Sequence, residues 1–250
     1  MANEMNHSAY SEMYQIQENH WWYVGRRLIL KKILSEFLPS EKGKILEIGS
    51  GAGGNIQLLS TFGSLEITDI EIQAINFCKE IAFKHKIDIS FSHGDFYTNY
   101  SIKKNQSFSA ICLFDVLEHL ENEIETLDLC FKLLAENGKL LITVPAYQWL
   151  WSAHDEYLHH VRRYSKAQLI KLIENSGFRI VDSGYFNSIL FPLAIFERLF
   201  NRNTLKKIHV PSKYLNLLLL KIFSLETHVF KHFSNKYGLS IWLTAVKIEN

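Results

Sequence analysis

The sequence predicts an α/β protein built on a mostly parallel, doubly wound sheet, and three observations carry that prediction. Short apolar runs of strand length alternate with helix-periodic stretches from Lys44 to Phe186. The first run ends in a glycine turn, Gly49-Ser50-Gly51-Ala52-Gly53-Gly54, that leads into a helix-compatible segment. Acids stand at the carboxyl ends of successive runs: Glu47, Asp69, Asp95 and Asp115. Open α/β sheets bind their ligands along that edge.

In chain order, Trp21-Trp22-Tyr23 stands beside Arg26 and Arg27, and helical periodicity then runs from Leu28 to Leu38. These aromatics read either as a helix on the domain edge or as a lid that excludes water, with an arginine meeting an anionic group. Lys44 to Ile48 is strand one, and Asn55 to Thr61 a helix. Glycine lacks a Cβ and lets a ligand touch the backbone, while the helix start aims free N–H groups at it. Leu65 to Asp69 is strand two, and the Asp69 carboxylate can accept both hydroxyls of a ribose. Ile72 to His85 is helical, and Ile87 to Phe91 is strand three, followed by His93-Gly94-Asp95-Phe96. Phe108 to Phe114 is almost wholly apolar, a fourth strand buried on both faces. Leu127 to Leu134 is a helix running into Asn137-Gly138 as its C-cap. Lys139 to Val144 is strand five, stopped by Pro145.

A polar block from Trp149 to Tyr164 carries His154, Asp155, His159, His160, Arg162 and Arg163 on the same rim. Ser165 is the N-cap of a helix closed by Asn175-Ser176-Gly177, and Phe178 to Phe186 is strand six. Ile189 to Phe200 and Tyr214 to Phe233 are apolar with helical spacing. In the second, Tyr214, Leu215, Leu218, Leu219, Ile222, Phe223, Phe230 and Phe233 form one broad stripe. Between Arg198 and Lys236 every charged residue is basic except Glu226. Such helices lie on an anionic membrane or a lipid-like substrate, or form a cap packed on the domain or a second subunit.

With 250 residues and 47% hydrophobic content, the chain can bury one large core. A net charge of +1 gives no field for nucleic acid. Cys78, Cys112 and Cys130 lie in apolar segments without a CxxC pair. They read as buried reduced thiols in a reducing cytoplasm. The polar opening M-A-N-E-M-N-H-S argues against a secretory signal, and no apolar run is long enough to predict a transmembrane helix.

The glycine turn has two readings. Gly49, Gly51 and Gly54, with Asp69 downstream, fit the G-x-G-x-x-G site of a nicotinamide oxidoreductase. Glu47, Gly49, Gly51 and Gly53 read E-x-G-x-G-x-G, which resembles motif I of the class I S-adenosylmethionine methyltransferases. Acids at several strand ends would oppose a pyrophosphate but suit a sulfonium cation. The resemblance extends over residues 18–186 through G-D-F, F-D-V-L-E-H and N-G-K-L-L-I-T-V-P, as in the small type 11/12/23-like members. His154 to Tyr164 resembles the H-D-x-x-x-H-H-x-R-R-Y block of a subgroup associated with bacterial cell-surface and lipid-linked sugar pathways.

The resemblance implies a Rossmann-like sheet of seven strands, with an antiparallel strand seven at Leu239 to Ile248 and helices on both faces. Residues 1–42 become an N-terminal helical lid, 43–186 the cofactor-binding core, 187–238 a helical insertion and 239–250 the final strand. It implies S-adenosylmethionine as cofactor, held by Arg26, Glu47, Gly49, Ser50, Gly51, Gly53, Asp69, Ile70, Gly94, Asp95, Phe96, Asp115 and Val116. Glu47 would meet the methionine portion and Asp95 the adenine amino group. Methyl transfer needs a positioned acceptor and, for a hydroxyl, a base; His119, His154 and His159 are the candidates. Glu118-His119 also resembles the E-H step of ubiquinone-biosynthesis O-methyltransferases, which opens a metal-assisted route with His154, Asp155, His159 and His160 as further ligands. No metal is assigned on this reading. The expected partners are a small-molecule, sugar or lipid-linked acceptor, with peripheral contact of 187–238 at the inner membrane face and a homodimer as further options. A binding module without turnover is disfavoured by the four intact acid positions.

Overall fold

A computed structural model of the chain describes residues 7–101, 108–201, 210–233 and 236–247. Helices α1 (His7–Ile16) and α2 (Trp21–Phe37) precede β1 (Gly43–Ile48). Next come α3 (Ile56–Leu59), β2 (Gly63–Asp69), α4 (Ile72–His85), β3 (Ile89–His93), α5 (Phe96–Tyr100) and β4 (Phe108–Phe114). The chain continues through α6 (Glu123–Leu133), β5 (Leu134–Pro145), α7 (Ala153–Tyr157), α8 (Lys166–Asn175) and β6 (Phe178–Phe186). It ends with α9 (Phe191–Asn201), α10 (Lys213–Phe233) and β7 (Ser240–Lys247).

The strands form one seven-stranded sheet in the order β3-β2-β1-β4-β5-β7-β6. Its pairs from β3 to β5 are parallel, and β7 runs antiparallel to both β5 and β6. Because side chains alternate along a strand, each strand feeds two cores. Ile45, Ile67, Cys112 and Leu141 join Leu30, Ile56, Cys78 and Phe223 of α2, α3, α4 and α10 on one face. Leu46, Ile111, Leu113 and Ile142 meet Leu127, Cys130, Leu169 and Ile173 of α6 and α8 on the other. The three cysteines are buried free thiols. Strand order reverses at β1 and β4, and the crevice at their carboxyl ends is where this topology places a ligand.

Several local expectations shift for identifiable reasons. The helix expected from Leu28 starts at Trp21, because the His20 side chain accepts the Trp22 N–H and caps it. Strand three begins at Ile89 rather than Ile87. Lys86 takes a left-handed φ of 55°, and the Ile87 N–H is spent on Ala82 O at 2.9 Å, closing α4. Asn137-Gly138 does not cap α6. That helix ends at Leu133, and Leu134 already pairs with Phe108 of β4. Pro192 sits at the second position of α9, where its missing N–H costs nothing. The stripe expected on α10 splits: Leu219, Ile222 and Phe223 pack on the core, whereas Tyr214, Leu215 and Leu218 face outward. The side chains of Phe230 and Phe233 lie outside the described part of the structure.

Helix α10 is seated on α2 by close packing. Phe223 is fully buried, stacks on Trp22 at 5.4 Å and lies against Gly25, where an added Cβ would stand 2.4 Å from its ring. Gly25→Ala is therefore expected to destabilise the fold by about 1–3 kcal/mol through overpacking. A thermal melt unchanged from wild type would refute this account of the seam. Among the described residues, no helix is long and apolar enough to cross a membrane.

Candidate active site

A cavity of about 700 Å³ opens at the carboxyl edge of the sheet, a volume suited to a small molecule. All the residues expected at the cofactor line it except Glu47 and Gly53. One end is the glycine loop. Gly49, Gly51 and Gly53 have φ of 67°, 56° and 77°, a region that glycine alone enters freely. The Gly51 N–H donates to Asp69 Oδ2 at 2.8 Å and the Glu71 N–H to Asp69 Oδ1 at 3.0 Å, so the loop and the end of β2 fix each other. Burial, opposed by these N–H donors, pushes the Asp69 pKa up to about 6. Glu47 lies behind the loop, where Asn55 Nδ2 donates to Oε1 at 2.7 Å and Oε2 has no partner. Burial raises its pKa to about 7 against the effect of Asn55.

The remaining expected acids already have protein partners. Asp95 accepts the Thr98 N–H and hydroxyl, both at 2.8 Å, and so caps α5. Asp115, at a φ of 61°, pairs with the buried Arg26 at 2.6 Å and accepts from Thr143 Oγ1 at 3.1 Å. The anionic group that Arg26 meets is thus a carboxylate of the chain itself. Arg26 ties α2 to the end of β4 at the cavity wall.

A second part of the lining is polar, with Glu118 buried and His119 and His160 half-buried. Glu118, His119 and His160 each bring a ligand-capable atom to the cavity wall, all within 4.8 Å of one another. Both carboxylate oxygens of Glu118 are buried without a hydrogen-bond partner. Burial, aided by Asp115, pushes its pKa well above the carboxylate range. Burial and the neighbouring His160 push His119 down to about 3, which keeps its ring neutral. His160 bonds through Nδ1 to Asp155 Oδ1 at 2.9 Å. Burial alone would raise Asp155, but His160, Arg163 and Arg198 outweigh it and hold the carboxyl well below its ordinary pKa. An ionised Asp155 can only accept, so the hydrogen bond assigns a proton to Nδ1 of His160. His154 lines the same cavity, its pKa lowered to about 4 by burial and then by Arg198. His159 does not line it; at a φ of 57° it belongs to the turn after α7. Arg162 pairs with Glu123, and Arg163 with Asp155 and Ala146 O, so neither guanidinium is an open clamp.

Sequence reasoning missed four contributors. Within the expected N-terminal helical lid no residue before Trp21 was singled out, yet Tyr10 and Met13 of α1 and Gln17 just after it line the cavity, and Gln17 Nε2 donates to Ala52 O of the glycine loop at 2.8 Å. Their spacing was the available signal. Asn187, after β6, lines the cavity at a φ of 56° with both side-chain polar atoms buried and unpartnered. No pattern in the sequence marks it.

A glycine loop after β1, an acid ending β2 and an antiparallel seventh strand beside the fifth define the class of S-adenosylmethionine-dependent methyltransferases. The chain belongs to the methyltransferase domain family, whose profile matches residues 21–183. It is similar to the mitochondrial ubiquinone biosynthesis O-methyltransferase of Dictyostelium discoideum, with 23% identity over 42% of this chain and 36% of that one. It is also similar to the phosphoethanolamine N-methyltransferase of Plasmodium falciparum, with 30% identity over 53% of this chain and 50% of that one. The chain thus spans half or less of the length of these two curated relatives. A SAM-dependent methyltransferase structure from Archaeoglobus fulgidus aligns with a TM-score of 0.57 and 20% identity, over 88% of this chain and 94% of that one. That likeness shows the fold.

Proposed function

We propose that the chain transfers the methyl group of S-adenosylmethionine to a hydroxyl of a small or lipid-linked acceptor. The observation that carries the reading is the pairing of two unlike ends in one cavity. The glycine loop and Asp69 suit the cofactor, and the Glu118–His119–His160 cluster suits a group that must lose a proton. The methyl carbon passes from sulfur to the acceptor oxygen as the C–S bond breaks, and the His119 ring, neutral in the cavity but made less basic there by burial, is the group placed to take the proton. The O-methyltransferase among the relatives supports an oxygen acceptor, although the N-methyltransferase has a comparable likeness.

A metal-assisted version has its own support. Glu118 is a buried carboxylate without a partner, an arrangement that is costly unless a cation joins it. Two imidazoles and one carboxylate form a donor set that fits a divalent transition metal, and Asp155 would orient His160 behind it. Such an ion would lower the pKa of an acceptor hydroxyl. Chelation that abolishes turnover, with recovery on adding a divalent ion, selects this version; indifference to chelator selects the imidazole alone.

Calorimetry tests the cofactor. S-adenosylmethionine should bind, and Asp69→Ala should weaken it by roughly 1.5–3 kcal/mol, the scale of hydrogen bonds to a charged group. The cofactor's ribose and cationic centre favour ionised Asp69, whose carboxyl holds a proton below about pH 6 in the empty cavity. Affinity should therefore fall as pH drops through about 6, with protons released on binding. Binding that is flat between neutral and mildly acid pH would remove Asp69 from the contact.

A further inference from the structure

Helix α10 has two apolar faces, and only one is used. Phe223, Leu219 and Ile222 face α2 and the sheet. At 100° per residue, Tyr214, Leu218 and Leu225 fall on a neighbouring flank, roughly a third of a turn round the helix, where they are 86%, 54% and 56% exposed. Helix α9 adds Leu193, Phe196 and Phe200 at helical spacing, 58%, 59% and 72% exposed, with the two phenylalanine rings 4.3 Å apart. Exposed large apolar side chains clustered in this way mark a contact site.

Both helices are held firmly. Arg198 of α9 donates to Leu150 O at 2.7 Å and to Asp155 Oδ2 at 3.2 Å. On α10, Asn216 accepts from the Trp21 N–H at 2.9 Å, and Glu226 accepts from the Ile189 N–H at 2.8 Å. Charge selects the occupant. Lys213 and Lys221 are exposed on α10 and Lys236 lies just beyond it, against one exposed acid on α9, Glu197, whereas Glu226 is buried. A symmetric dimer through this face would bring like-charged lysines together, but an anionic bilayer would complement them.

We propose that the exposed faces of α9 and α10 dock the chain on an anionic membrane surface, with the cavity mouth at the bilayer. Leu193 belongs to both places: it is exposed in the patch and lines the cavity beside Ala194 and, from α10, Leu219. An acceptor with an apolar chain can therefore pass sideways from lipid to cavity without crossing water. The docking face stands without the methyl-transfer reading, and the acceptor's route rests on it.

The test is sedimentation of the full chain with vesicles of phosphatidylcholine and phosphatidylglycerol in equal parts, against vesicles of phosphatidylcholine alone. The expected result is binding to the mixed vesicles, about tenfold weaker to the neutral ones and weakened again by high salt. The double variant Leu218→Glu, Phe196→Glu should lose vesicle binding by about tenfold or more while binding S-adenosylmethionine as wild type does. A fluorophore on Leu218→Cys should shift to the blue with mixed vesicles. One on Lys171→Cys, exposed on α8 across the sheet, should not. Equal binding to both vesicle types, a double variant that still sediments, or a wild-type dimer broken by the double variant would each overturn the proposal. Loss of cofactor binding in the wild type would sink the methyl-transfer reading and leave the docking result standing.

Discussion

His119→Ala is expected to lower turnover by roughly 10²–10⁴-fold, the usual contribution of a positioned proton acceptor. Cofactor affinity should barely change on the proposed reading, which assigns the cofactor to the glycine loop and Asp69 and the acceptor to the His119 cluster. His119 packs edge-on against His160 at 4.7 Å, so a structural role must be separated from a chemical one. Thermal melts and cofactor calorimetry serve as controls, since a merely structural histidine would lower the melting temperature along with the rate. An unaltered rate would hand the role to His154, which lines the same cavity. Under the metal-assisted version the same variant should also lose the response to divalent ions, which imidazole chemistry alone does not predict.

The parts of the site legible in the sequence are those dictated by backbone geometry. A loop that needs left-handed residues at Gly49, Gly51 and Gly53 has few alternatives to glycine. An acid closing an apolar run, as Asp69 does, is placed at the sheet edge by the strand itself. What could not be read is which carboxylate faces the ligand and which faces the protein. Glu47 and Asp95 look alike in the sequence, yet one is bonded to Asn55 behind the loop and the other caps α5. The histidine block misled for the same reason. His159 and His160 are neighbours, but a single left-handed residue puts one in a turn and the other on the cavity wall. Asn187 escaped because it comes to the cavity through long-range packing at the end of β6, for which no local pattern exists.

Asp155→Ala is expected to destabilise the chain by about 3–5 kcal/mol, the cost of removing one member of a buried ionic group. The carboxylate is wholly buried and accepts from the Ser152 N–H and hydroxyl, His160 Nδ1, Arg163 Nε and Arg198 Nη1. Without it Arg163 keeps Ala146 O and Arg198 keeps Leu150 O, but both charges lose their counter-ion. Asp155→Asn should cost less, since an amide still accepts one of these bonds. The sign of the pH effect follows from the depressed carboxyl. Its folded pKa lies below the unfolded value of about 3.9, so its contribution is complete above that value, declines as pH drops below it and is lost as pH falls through the folded pKa. The difference between wild type and Asp155→Ala in urea unfolding should therefore be largest near neutrality and shrink below about pH 4. Because Arg198 carries α9 and His160 reaches the cavity, the variant should also weaken vesicle docking and methyl transfer together. A variant as stable as wild type, with both activities intact, would mean that α9 and His160 are held by their other contacts alone.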